Sequence, residues 1–121
     1  MFKVFALSVI LLMITGVAFY FLNPTIEIKN LKASFKVAHI HLIGNEYHMC
    51  FIFEVKNPEN KAILAKVEIN LSSQKILANS IYKVIDEKTG KELNFEVKND
   101  YIIIVTIQLQ ANEIRRFHVL L

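Results

Sequence analysis

From residue 25 to the end of the chain, apolar and polar positions alternate with a period of two, and no stretch carries convincing helical spacing. Thr25 to Lys29 puts Ile26 and Ile28 on one side. Ser34 to Ile43 follows, then Gly44-Asn45, then Tyr47 to Lys56 with Tyr47, Met49, Phe51, Phe53 and Val55 on one face. After the turn Asn57-Pro58-Glu59-Asn60, Ile63, Ala65, Val67, Ile69 and Leu71 mark another strand. Ser72-Ser73-Gln74 turns the chain into a strand predicted over Lys75 to Ile85, and Asp86-Glu87-Lys88-Thr89-Gly90 is the strongest loop signal. Leu93, Phe95 and Val97 come next, then Tyr101 to Leu109 and Ile114 to Leu121. Seven or eight strands spaced about 8 to 14 residues apart predict an all-β fold, an antiparallel β-sandwich of fibronectin III or immunoglobulin-like type over residues 25–121.

Two of these strands are apolar on both faces, Tyr101 to Val105 and much of Ile76 to Ile85. Two readings stay open: central strands covered on each side, or an apolar surface that meets a partner, a lipid or a membrane. In the second, Tyr101 to Val105 would pair with another chain, making the protein a subunit of a membrane-associated assembly.

The alternation is absent before residue 24. Val4 to Leu22 holds nineteen residues without a charge, interrupted only by Ser8, Thr15 and Gly16. As a helix they span about 28 Å, close to the hydrocarbon thickness of a bilayer. Phe19, Tyr20 and Phe21 fall at the interfacial belt, and Asn23-Pro24 stops the helix. One N-terminal transmembrane helix over residues 1–24 is expected. A cleaved signal with Gly16-Val17-Ala18 as its site is the alternative. Lys3 on one side and Lys29, Lys32 and Lys36 on the other are candidate membrane-flanking residues. Charge counting slightly favours a cytoplasmic body, whereas a three-residue head before a signal-like helix predicts export. The expectation is a single-pass membrane protein with an extracytoplasmic sandwich.

Composition removes whole classes. A 54% hydrophobic share excludes a disordered chain, and 3 Gly with 2 Pro excludes collagen-like and Pro-rich chains. A single cysteine excludes an intrachain disulfide. Of the 14 basic residues only Lys3 precedes the body, so basic and acidic residues nearly balance there and no nucleic-acid partner is expected.

Residues 51–80, FIFEVKNPENKAILAKVEINLSSQKILANS, resemble the water-stress and hypersensitive-response (WHy) domain, the LEA-2 type of late embryogenesis abundant protein. Phe51, Phe53, Val55, Asn57 and Pro58 carry the resemblance, followed by Ile63, Val67, Ile69, Leu71, Ile76, Leu77, Ala78 and Ser80. Asn-Pro-Glu stands where that family favours Asn-Pro-Asn, and Ser72-Ser73-Gln74 stands where it usually has a glycine. The resemblance implies a membrane-anchored sandwich, stress protection, lipid or protein contact, and no catalytic residues. Asn57-Pro58 has its own physical reason: proline ends strand pairing, and the asparagine closes an Asx turn.

Chemistry-bearing residues gather in one place. If Gly44-Asn45 is a two-residue hairpin loop, Ile43 pairs with Glu46, His41 with His48, and His39 with Cys50. His39, His41, His48 and Cys50 then form a square on the face opposite Met49 and Phe51, within reach of zinc or copper. The plainer reading is a set of outward-facing residues, and a one-residue register change would separate the two pairs. No nucleophile elbow, zinc-protease helix or phosphate loop occurs in the chain. The expected function is therefore a membrane-anchored binding or structural module, without catalysis or cofactor, meeting a protein or lipid partner. A metal-binding module is the alternative.

Overall fold

The structure is a computed structural model that describes residues 26–121; the expected anchor over 1–24, with Lys3, lies outside the described residues. Among the described residues, no helix is long and apolar enough to cross a membrane. The described residues form nine strands: β1 (Ile28–Lys32), β2 (Ser34–Ile43), β3 (Glu46–Lys56), β4 (Ile63–Asn70), β5 (Lys83–Asp86), β6 (Glu92–Leu93), β7 (Glu96–Val97), β8 (Ile102–Leu109) and β9 (Ile114–Leu120). They make two sheets, ordered β1-β4-β8-β7 and β2-β3-β9-β5-β6.

Alternation decides what lies between the sheets. Ile63, Ala65, Val67 and Ile69 of β4 and Ile103, Val105 and Leu109 of β8 face Phe53 and Val55 of β3 and Phe117 and Val119 of β9, all buried. Each of these side chains larger than alanine contributes roughly 1.5–3 kcal/mol relative to exposure. The all-β, two-sheet expectation is met. Every pairing is antiparallel except one: β1 runs parallel to β4, Ile28 beside Leu64. A single residue, Ala33, then carries the chain into the other sheet, where Ser34 lies opposite Glu54.

The strand expected over Lys75 to Ile85 is mostly absent. Ser72–Gln74 and Ala78–Ser80 are 3-10 turns, Lys75 takes φ +58°, and only Lys83–Asp86 pairs as a strand. The chain must cross here from the first sheet to the second, and the apolar Ile76 and Ala78 close that end of the core. Tyr101 to Val105, by contrast, leads into β8, which pairs along its length with β4 and at Ile103 and Ile104 with β7. Ile103 and Val105 are buried, while Ile102 and Ile104 are half-buried on the outside.

Polar side chains secure the loops at the opposite end. Asn57 is fully buried; its Nδ2 donates to the carbonyls of Lys61 and Gln110, both at 2.9 Å, and its Oδ1 accepts from the amide of Glu59 at 3.0 Å. The Asx turn is present, and the same side chain also ties in the loop before β9. Asp86 accepts from the Lys88 amide, the Thr89 hydroxyl and the Arg115 guanidinium, the last at 3.1 Å with both side chains buried.

Candidate functional site

The β2–β3 hairpin carries both of the molecule's unusual surfaces. Gly44 takes φ +61°, the left-handed value a tight hairpin loop needs at its first position. The register is the one the two-residue loop dictates: Ile43 opposite Glu46, His41 opposite His48, His39 opposite Cys50. Near its base Lys36 is an extra residue between Phe35 and Val37, a bulge that bends β2, and its ammonium reaches Glu54 at 3.7 Å. Among the described residues, the outer edge of β2 has no strand beside it.

One face of the hairpin is apolar and projects past the sandwich. β9 pairs with β3 from Cys50 to Lys56, and the Leu121 amide donates to the Met49 carbonyl, so the tip of the hairpin extends past β9. There Ile40 pairs with Met49 and Leu42 with Tyr47, and they are 64%, 41%, 54% and 75% exposed. These residues continue the row that, further along β3, forms the core as Phe51, Phe53 and Val55.

The other face gathers all four histidines and the only cysteine of the chain. Cys50 is fully buried within a small apolar cluster with Ile52 and Leu120, against which Ile43 and Ile85 pack. Burial pushes the Cys50 thiol above its ordinary range, because the thiolate would lose hydration. It is therefore a poor nucleophile at neutral pH. His39 and His41, two apart on β2, stack with ring centroids 6.1 Å apart. One ring nitrogen from each and the Cys50 sulfur lie within 4.8 Å of one another.

His48 stands opposite His41 but turns away from this trio. Its Nδ1 donates to the carbonyl of Leu121, and its ring stacks on Tyr82 at 4.9 Å. His118, which the hairpin pattern does not single out, lies beside the trio. Its ring meets His39 edge to face at 6.2 Å, and its Nε2 is 2.9 Å from the Glu87 carboxylate. Alternation over Ile114 to Leu121 puts His118 on the same side as Leu120, but nothing local reveals that β9 sits beside β3.

The remaining candidates have structural positions. Asn57 and Pro58 form the turn between β3 and β4. Lys29 is paired with Glu27 and Glu59 at 3.1 and 3.4 Å, and Lys32 lies opposite Glu68 at the end of β1. With the Lys61–Glu27 pair at 2.7 Å, the Lys29 pairs make the end where residue 26 meets the sandwich a patch of mixed charge.

No family model, no curated protein and no solved structure matches this chain. The resemblance to the WHy domain therefore rests on the sequence alone.

Proposed function

We propose that the chain is a single-pass membrane protein whose exported sandwich, of immunoglobulin-like and LEA-2 type, binds a protein partner through the β2–β3 hairpin and performs no catalysis. The observation that carries this reading is the exposed row Ile40, Leu42, Tyr47 and Met49, an extension of the core with nothing from the first sheet opposite it. A partner that covers these half-exposed side chains gains about 1 kcal/mol from each.

The geometry favours a protein over the anchoring bilayer. Residue 27 enters beside the turn that follows β3, where the Leu64 amide donates to the Glu27 carbonyl. The hairpin tip, Gly44-Asn45, is at the other end of β2, ten residues and roughly 30 Å away. A helix ending at Asn23-Pro24 would hold the mixed-charge end near the headgroups and the apolar tip away from them.

The test is photo-crosslinking of the full-length chain in intact cells, with benzoylphenylalanine at Tyr47 and, as control, at Lys66 on the far sheet's outer face. A C-terminal tag exposed to external protease reports orientation in the same cells. The expected result is a discrete adduct from position 47, none from position 66, and a tag cut from outside on a full-length product. The adduct's mass separates a second copy from another protein. Absence of an adduct at 47, or equal adducts at both positions, rejects the hairpin as the binding surface; a protected tag rejects the orientation.

A further inference from the structure

The face of the hairpin opposite its apolar row points to a separate property: we infer that His39, His41 and Cys50 bind one thiophilic d10 metal ion, Zn2+ or Cu+. Three arguments converge. The donors are one thiolate and two imidazoles, the soft and borderline set that selects these ions over Mg2+ or Ca2+. Their donor atoms already lie within 4.8 Å of one another with no ion present. In a tetrahedral zinc site, metal–sulfur and metal–nitrogen bonds of about 2.3 and 2.0 Å place the donors about 3.5 Å apart. Closing the trio therefore takes about 1 Å, which rotamer adjustment of two histidines on an edge strand supplies.

The surroundings suit the ion. Cys50 sits at the floor of the site among Ile52 and Leu120, so its sulfur is shielded from solvent and from oxidants. His39 is exposed and His41 half-buried, which leaves a path for entry from the edge of β2. His118 stands against His39 and is held by Glu87, so it orients the His39 ring. On binding, the sulfur–metal bond replaces the S–H bond, and the thiol proton leaves to solvent. His48 has no part in the site, because its ring turns onto Tyr82 and stands outside the trio of donors, with Nε2 3.6 Å from the Glu46 carboxylate.

The experiment uses the full-length chain in detergent, freed of metal and kept reduced. It is titrated with Zn2+ against a chromophoric zinc chelator, and separately with Cu+ against a chromophoric copper(I) chelator. Co2+ serves as a spectroscopic substitute for zinc. The expected result is one ion per chain for at least one of the two metals. For zinc, Co2+ should give a thiolate-to-metal charge-transfer band that Cys50→Ser abolishes. His39→Gln and His41→Gln should each weaken binding at least about 100-fold, whereas His48→Gln should leave it within a few-fold. Circular dichroism of each variant without metal shows whether the sandwich is intact. Should a variant unfold, the thiolate-to-metal band of Co2+ in the wild-type chain, saturating at one ion per chain, still reports the sulfur as a ligand, and its absence rejects a zinc site. Absence of stoichiometric binding by either ion overturns the inference. So does binding that survives Cys50→Ser, or binding that falls equally with His48→Gln.

Discussion

Replacing Asn57 separates two physical roles that the sequence alone merges. The side chain is fully buried and makes three hydrogen bonds, two donated by Nδ2 across 2.9 Å to the Lys61 and Gln110 carbonyls and one accepted from Glu59. Asn57→Ala strands two carbonyls and an amide. At about 1 kcal/mol for each lost bond, the expected cost is about 3 kcal/mol. Asn57→Asp keeps the acceptor and the capacity for an Asx turn, but turns a carboxylate towards two carbonyl oxygens. Its expected cost at neutral pH is at least that of alanine. The assay is pulse proteolysis of the full-length chain in detergent across a urea series, which suits a chain without tryptophan. A loss of about 3 kcal/mol lowers the urea midpoint by about 2 M for a domain of this size. If the Asn57→Asp variant stayed within about 1 kcal/mol of wild type while Asn57→Ala lost the full amount, the Asx turn alone would account for the residue. The clamp between the two loops would then be wrong.

The buried Asp86–Arg115 pair gives a second test: Asp86→Ala leaves the guanidinium with only the Glu113 carboxylate, 3.6 Å from its Nε, and should cost about 3 kcal/mol, part of it recovered by adding Arg115→Met, as read by the same proteolysis series. Acid provides a third. Glu113 is held below its ordinary value of 4.5, first by the Lys88 ammonium at 2.7 Å and then by the Gln110 amide. A carboxyl depressed by folding contributes stability that is present above its unfolded value and lost as pH falls through the folded one. The urea midpoint should therefore hold from pH 7 to about 5 and fall below 4.5, less steeply in Lys88→Met.

Much of the hairpin was legible because its determinants are local. Gly44-Asn45 sets the loop length, alternation sets the faces, and together they place His39 opposite Cys50 without knowledge of the rest of the chain. The divergence of His48 depends on Leu121 and Tyr82, both distant in sequence, and His118 arrives through the pairing of β9 with β3. The Lys75–Ile85 segment shows the limit in another form. Ile76, Leu77 and Ala78 have strand-like composition, but they serve a crossing between sheets, where burial of Ile76 and Ala78 is met by turns. Parallel pairing of β1 was likewise invisible, since alternation reports which side a residue faces and not which way its neighbour runs.

That parallel strand has a mechanical consequence. In the proposed arrangement, a tether before residue 26 and a partner on the hairpin tip would pull on opposite ends of the molecule, along the strands rather than across them. β1 follows that line, lying beside β4 from Ile28 to Lys32 and continuing through Ala33 into β2. Tension drawn through the N-terminus therefore shears the β1–β4 ladder, straining its hydrogen bonds together instead of opening them one after another. Beyond Ala33 the same tension runs into β2 and the long ladder it shares with β3. In the proposed arrangement, a sandwich strung this way would transmit force between the membrane and its partner before it yields.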